Sequence, residues 1–347
     1  MCAKRKKKSA AAKVLRLLGL LLIICALVAA WVLFKPNTGA FFQGHYLYIR
    51  TGSTYDDVKQ ELSAQGFVSD IRSFDLLARR SGYTGKVKAG KYEIRKGMSN
   101  YQIIRMLGSG RQVPVKLVIN KLRTRQDFIN LIARNLEADT NVLKHMLTDP
   151  VFLAQYGLDS NTAMCAVMPD TYEFYWNSNA EKVFRKIASQ YTKFWTSERI
   201  TQAKNLGLTP QQAITLASIV EEESNMNDER PKIASVYLNR LHSGIKLQAD
   251  PTARYAYGDF MIKRITGVQT SLASPYNTYY VTGLPPGPIC TPSPRCIDAV
   301  LHAPKTAYLY FCAKEDFSGY HNFAATLQEH YDNAKRYHDA LNRRGIR

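Results

Sequence analysis

Thr209-Pro210-Gln211-Gln212-Ala213-Ile214-Thr215-Leu216-Ala217-Ser218-Ile219-Val220-Glu221-Glu222-Glu223 is the stretch on which the reading turns. Thr at the N-cap, Pro at the first helical position and Gln at the third form a strong helix start. At helical periodicity Ala213, Ile214, Leu216, Ala217, Ile219 and Val220 share one face. Glu222 falls opposite that face, toward solvent. Glu221 and Glu223 fall on its two borders. A carboxyl at such a border is partly desolvated, which raises its pKa toward the range of a general acid, and adjacent acids push the same way. Acidic charge at a helix C-terminus opposes the macrodipole, so a role other than stability is expected; a solvated charge run is the alternative. The geometry excludes Glu222 and leaves Glu221 and Glu223 open.

Downstream, Asp228-Glu229-Arg230-Pro231 starts another helix with an apolar stripe of Ile233, Ala234, Tyr237, Leu238 and Leu241, ended by Gly244. Lys246-Leu247-Gln248-Ala249-Asp250-Pro251-Thr252 follows. Asp250 precedes proline and is expected to be extended, presenting Gln248, Asp250 and Thr252 at a defined spacing. Ser274-Pro275-Tyr276-Asn277-Thr278-Tyr279-Tyr280 and Gly283-Leu284-Pro285-Pro286-Gly287-Pro288 read as stiff loops. Rigid loops of Asn, Thr and Tyr suit sugar hydroxyls and N-acetyl groups.

Upstream, residues 120–200 read as mainly helical (Thr124 to Leu136, Asn141 to Leu147, Ala180 to Thr196). They are interrupted by Met168-Pro169-Asp170-Thr171-Tyr172-Glu173-Phe174-Tyr175-Trp176, an aromatic turn that suits either a sugar platform or a core. Residues 45–119 read as a small α+β module: strands at Tyr46–Arg50, Lys91–Arg95 and Val113–Ile119, and helices at Thr54–Gln65, Ile71–Arg80 and from a Ser99/Gln102 capping box to about Ser109. Residues 35–44 read as a linker. Leu17 to Phe34 is an uncharged apolar run of 18 residues, about the minimum for spanning a bilayer. The basic residues of 1–16 place that end in the cytoplasm and the rest outside. Trp31 to Phe34 extend the run past the Ala29-Ala30 cleavage-like pair, which favours an uncleaved anchor.

The 347 residues carry a formal net charge of +19 and 46% hydrophobic residues, a globular balance that excludes wholesale disorder. The charge suggests an anionic partner. No RNA-binding motif or zinc-finger spacing is present, so nucleic acid is not the expected one. No CxxC or HExxH occurs, and no metal or cofactor is expected. Cys290 and Cys296 are close enough in sequence to form a disulfide, with buried free thiols as the alternative.

Six ordered motifs carry a resemblance: Ala217-Ser218-Ile219-Val220-Glu221; Glu229-Arg230-Pro231; Val236-Tyr237-Leu238-Asn239-Arg240-Leu241; Leu247-Gln248-Ala249-Asp250-Pro251-Thr252; Tyr276-Asn277-Thr278-Tyr279; and Gly283-Leu284-Pro285-Pro286-Gly287. Pro169-Asp170-Thr171-Tyr172, His321-Asn322-Phe323 and Glu329-His330 fit as well. From about 45 to 340 the chain resembles the YceG-like family of endolytic murein transglycosylases. It departs at Met164-Cys165, where relatives usually carry Glu-Gly.

The resemblance implies an α+β protein: a basic cytoplasmic segment (1–16), a transmembrane helix (17–34), a linker (35–44), a LysM-like module (45–119) and a mixed α/β catalytic region (120–347) with its catalytic Glu on a helix. It implies a lytic transglycosylase of the inner membrane that cleaves the MurNAc–GlcNAc bond of nascent peptidoglycan without water, leaving 1,6-anhydro ends and terminating glycan strands. Partners would be glycan strands, the membrane and peptidoglycan synthases. The family's catalytic glutamate maps onto Glu221 and its second acid onto Glu223. Glu223, Asn239, Gln248, Asp250, Thr252, Asn277, Thr278 and Tyr279 are then expected at the substrate. A lysozyme-type hydrolase would instead need Glu223 or Asp250 to activate water. A non-enzymatic glycan-binding scaffold would need none of these carboxylates.

Overall fold

A computed structural model of the chain describes residues 3–39, 45–262 and 264–345, with side chains from residue 11 onward. Residues 40–44 of the expected linker and the side chains of Lys4 to Lys8 lie outside the described residues. The chain divides into two compact units, Met1–Val115 with Phe174–Asn177, and Lys116–Glu173 with Ser178–Arg347.

The first unit begins with α1 (Ala3–Phe34). Its apolar part, Ala11–Phe34, has a mean hydropathy of 3.0 and no residue buried by the protein. At about 1.5 Å per residue its 24 residues exceed the roughly 30 Å of a bilayer core. β1 (His45–Ile49), α2 (Tyr55–Ala64), α3 (Ile71–Arg80), β2 (Gly90–Ile94) and α4 (Asn100–Ser109) follow. β1 and β2 pair antiparallel, with Leu47 opposite Tyr92. Leu47, Ile49, Tyr92 and Ile94 point inward onto Leu62, Phe74, Ile103 and Leu107, while Tyr46 and Tyr48 point out, the period-two pattern of a sheet with one buried face. Capping is local and complete. Thr54 pairs with Asp57 at the start of α2, and Ser99 with Gln102 at the start of α4, which ends at left-handed Gly110. Thr54, read as the first residue of this helix, is thus its N-cap, and the helix proper starts at Tyr55.

The second unit carries β3 (Val115–Ile119, beginning at the boundary), α5 (Arg125–Asn135), α6 (Thr140–Met146), α7 (Pro150–Ala154), β4 (Asp170–Phe174), α8 (Ala180–Phe194), α9 (Ser197–Asn205), α10 (Pro210–Glu223), α11 (Arg230–His242), α12 (Asp250–Tyr257), α13 (Gly267–Thr270), α14 (Pro294–Leu301), β5 (Tyr310–Ala313), β6 (His321–Ala324) and α15 (Leu327–Arg343). β3 pairs with β4, and β5 with β6. The aromatic turn of the sequence is thus partly a strand, with Tyr172 and Phe174 buried.

α10 lies at the centre, packed by α9, α11, α12 and α14. Every residue from Ala213 to Val220 is buried, Thr215 and Ser218 included. The helical wheel assumed one solvent face, and between Ala213 and Val220 this helix has none. Its hydroxyls tolerate burial because they bond locally: Thr215 Oγ1 donates to Gln211 O (2.9 Å) and Ser218 Oγ to Thr215 O (2.7 Å). Ser218 Oγ also accepts from Ile289 N at 3.0 Å. The Pro-rich loop can approach because Gly287 lacks a side chain; a Cβ there would collide with the Asn161 carbonyl.

One local expectation is corrected and one open alternative is resolved. Asp250 is not extended but opens α12, because Pro251 falls in the first turn, where a missing N–H costs nothing. Cys290 and Cys296 are not a disulfide: both are buried free thiols, their Sγ atoms on the carbonyls of Ser218 (3.5 Å) and Ala217 (3.2 Å). Met164 and Cys165 are buried in a short turn of helix.

Candidate active site

The last turn of α10 sends its three carboxylates in three directions. Glu222, expected in solvent, has a side chain only 8% exposed. Lys121 Nζ lies 2.6 Å from Oε1 and Arg123 Nη2 3.1 Å from Oε2, both from the segment after β3. Burial pushes this carboxyl up, but the two cations outweigh it and hold it below its ordinary value. Glu222 is a brace that ties α10 to residues 120–123. That segment is also joined to Thr291, whose N–H donates to Leu122 O (2.8 Å) and whose Oγ1 accepts from Leu122 N (2.9 Å).

Glu221 turns the opposite way from Glu223, as the wheel required. Its Oε1 accepts from Arg230 Nη2 at 2.9 Å, and its Oε2 from Ser293 N (3.1 Å) and Ser293 Oγ (2.7 Å). Arg230 is itself buried and bonds Ser224 O and Asn227 Oδ1. Both oxygens of Glu221 are therefore occupied by the protein. It is not among the residues that wall the cleft described next.

Glu223 is. A cleft of about 370 Å³ is walled by Glu223, Tyr237, Arg240, Gln248, Asp250 and Tyr279, with Tyr310, Phe311, His321 and His330 from the β5–β6 side. Glu223 Oε1 accepts from the Tyr237 hydroxyl at 2.6 Å. Desolvation pushes its pKa up to about 7 against that hydrogen bond, and the nearby charge of Asp250 adds to the rise. A carboxyl that is half protonated near neutrality, facing a cavity, suits proton transfer in both directions. Glu221, by contrast, has both oxygens engaged by the Arg230 guanidinium and the two Ser293 donors. Of the expected reacting acid Glu221 and its companion Glu223, it is the companion whose carboxyl faces this cleft.

Other walls are built with care. Arg240 is buried, with Nε on Leu309 O (2.6 Å) and Nη1 on Lys246 O and Leu247 O (3.0 Å each), and its guanidinium lies 5.1 Å from the Tyr310 ring. It pins the 246–248 loop, where Gln248 adopts φ 52°, a left-handed conformation rare outside glycine. Asp250 accepts from Tyr279 OH at 2.6 Å. Glu229, buried, accepts from His321 N and holds His321 Nδ1, each at 2.7 Å, which keeps the ring proton on Nδ1. His330 stacks on Tyr310 (5.2 Å) and is depressed below its ordinary pKa by burial and Arg240.

Of the expected substrate residues, Glu223, Gln248, Asp250 and Tyr279 meet at the cleft. The other four do not. Asn239 spends its amide on Thr306 O and Tyr308 O (2.9 Å each). Asn277 is fully buried and caps the carbonyls of Gln269, Thr270 and Leu272. Thr252 and Thr278 are fully buried and bond each other at 2.7 Å. These four shape the loops that carry the cleft. The sequence reading missed Tyr237, Arg240, Tyr310 and Phe311, because an apolar stripe or short strand carries no sign of which aromatic ring borders a cavity. Among the described residues no group of three or more His, Cys, Asp or Glu could hold a metal ion.

Comparison with known proteins agrees with the motifs. The profile of the YceG-like family matches residues 47–336. The endolytic murein transglycosylase of Bacillus subtilis (strain 168) is 30% identical over 326 residues, covering 85% of each chain. That of Streptococcus pneumoniae serotype 2 (strain D39) is 26% identical over 82% of this chain, which spans 56% of that protein's length. The crystal structure of a yceG-like protein from Listeria monocytogenes superimposes with a TM-score of 0.56 and 28% identity, covering 83% of this chain and 98% of that one.

Proposed function

Since the chain belongs to the YceG-like family, we propose that it is a lytic transglycosylase that cuts peptidoglycan glycan strands internally. The family correspondence points to Glu221 as its acid and base; the geometry of the cleft leads us to propose Glu223 in that role instead. The observation that carries the assignment is the pairing of position and protonation: Glu223 is the member of the acidic triplet that walls the cleft, with a pKa of about 7. The supporting contrast is Glu221, whose oxygens are taken by Arg230 and Ser293.

Protonated Glu223 donates to the glycosidic oxygen between MurNAc and GlcNAc, and the C1–O bond breaks. The carboxylate so formed takes the proton of the muramyl C6 hydroxyl as O6 bonds to C1, closing the 1,6-anhydro ring. No water enters, so one carboxyl suffices where a hydrolase needs two. Tyr237, on Oε1, orients the carboxyl and stabilises its charged form after the first transfer. Asp250 keeps a second carboxylate in the cleft, and this specific feature favours one rival, water activation by a lysozyme-type hydrolase.

α1 serves as the membrane anchor. Its basic start stays in the cytoplasm, and the second unit lies outside, where the substrate is. The basic net charge suits a polymer bearing peptide carboxylates. Ending nascent strands beside peptidoglycan synthases is the role that the family resemblance implies.

The full chain in detergent, incubated with purified peptidoglycan, tests the reading by the mass of released muropeptides. Anhydro-ended products from wild type, absent with Glu223→Gln, are expected. Reducing-ended products, one water heavier, would mean a hydrolase. Unchanged turnover by Glu223→Gln would remove the assignment.

A further inference from the structure

The first unit holds a second cleft, of about 460 Å³, lined by Arg95, Arg105 and Arg111 together with Met98, Tyr101 and Met106. One carboxylate, Glu93, shares it and engages Arg95 at 2.8 Å on the surface. The Arg111 guanidinium donates to the Ser109 hydroxyl (3.2 Å), and among the described residues no carboxylate pairs with Arg105 or Arg111. The lining thus combines surplus positive charge with an apolar floor, which is the complement of an anionic amphiphile rather than of a simple ion.

Its location says which amphiphile. Phe34, the last residue of α1, packs its ring 5.7 Å from Tyr101. Two residues on, Pro36 forms a bridge with Ser99, and Asn37 N donates to Met98 O at 3.0 Å. Asn37 is buried and further tied to Asp70 O (2.8 Å) and Asn100 Oδ1 (2.7 Å). The end of α1 is thereby stitched to Met98 and Tyr101, which line the cleft, and to their neighbours Ser99 and Asn100. Trp31, with Lys35 Nζ over its ring at 4.2 Å, supplies the aromatic and cationic pair typical of a bilayer interface at that end.

We propose that this cleft binds the phosphate headgroup of an anionic phospholipid in the leaflet at the C-terminal end of α1. The guanidinium groups take the phosphate oxygens, and Met98, Met106 and Tyr101 meet the first part of the acyl chains. The proposal rests on α1 being the membrane anchor. Its consequence is that lipid composition governs how firmly the first unit lies on the membrane.

Hydrogen exchange on the full chain in nanodiscs tests it, comparing phosphatidylcholine alone with phosphatidylcholine mixed with phosphatidylglycerol. Phosphatidylglycerol is expected to slow exchange across residues 95–113 in wild type. Arg105→Gln weakens that response about fivefold, as expected for one basic residue at an anionic surface, and the variant lacking all three arginines loses it. All three are exposed, so these variants keep the fold. Equal exchange in both lipids, or the same protection from inorganic phosphate in phosphatidylcholine nanodiscs, would overturn the proposal. The amides of residues 17–34 report the anchor separately. Protection there in every disc with no lipid response at 95–113 sinks the cleft alone, whereas free exchange there removes the anchor and the proposal together.

Discussion

Glu223→Gln and Glu221→Gln, made separately, should move stability in opposite directions. Glu223 has an ordinary carboxyl pKa in the unfolded chain and a folded value of about 7. Between these values the folded state holds a proton that the unfolded state has released. Stability is therefore lost as pH rises through that window, and the whole penalty is present above about pH 7. The rise from 4.5 to about 7, at about 1.36 kcal/mol per unit, sets a ceiling of about 3 kcal/mol. Solvent in the cleft lowers this to about 1–2 kcal/mol. Glu223→Gln removes the titration and keeps an oxygen for Tyr237, so the melting temperature of the second unit rises by a few degrees at pH 8, at about 2–4 °C per kcal/mol, and hardly at all at pH 5. Turnover falls by about 10²–10⁴-fold. Glu221→Gln leaves Arg230, 8% exposed, without its counter-charge and turns an amide toward the Ser293 donors. It costs about 3 kcal/mol at both pH values. The assay is thermal unfolding at the two pH values beside muropeptide release. A Glu221→Gln variant that melts like wild type but is inactive, with an active Glu223→Gln, would refute the reasoning and return the proton to Glu221.

Two changes around Glu223 should shift the pH–rate profile in opposite directions. Tyr237→Phe removes the hydrogen bond that favours the carboxylate, so the pKa rises and the activity loss on the alkaline side moves to higher pH; Asp250→Asn removes a raising charge and moves it lower. Burial pushes the thiols of Cys165, Cys290 and Cys296 far above their ordinary pKa, so iodoacetamide at pH 8 should leave these three unlabelled until the chain is unfolded, as peptide mapping would show. Labelling of Cys290 in the folded chain would contradict its packing on α10.

Helix starts were the most legible part. Thr209 with Gln212 and Ser99 with Gln102 were read within a residue because a capping box is settled by side chains three residues apart; the Ile71–Arg80 helix also matched, its start capped by the Asp70 carboxylate on the N–H groups of Arg72 and Ser73. The strands at Asp170–Phe174, Tyr310–Ala313 and His321–Ala324 were missed. Each is only four or five residues long, and each exists because of a partner distant in sequence or across a turn. Half of the expected substrate residues proved to be loop braces for a related reason: Asn and Thr in a rigid loop bind a sugar or bind the loop's own carbonyls with the same atoms, and Asn277 does the latter.

The sequence by itself determined the central helix, the acidic triplet at its end, and the placing of Glu221 and Glu223 on opposite sides, since these follow from a fixed rotation per residue. Which of the two faces the cleft is set only by tertiary structure, and our assignment of the proton rests on it. Ser293, 72 residues away, and Arg230 close over one carboxylate. Tyr237 and the walls from Gln248, Asp250 and Tyr310 leave a cavity over the other. The burial and charge that set a proton's affinity come from neighbours the chain supplies only once it has folded.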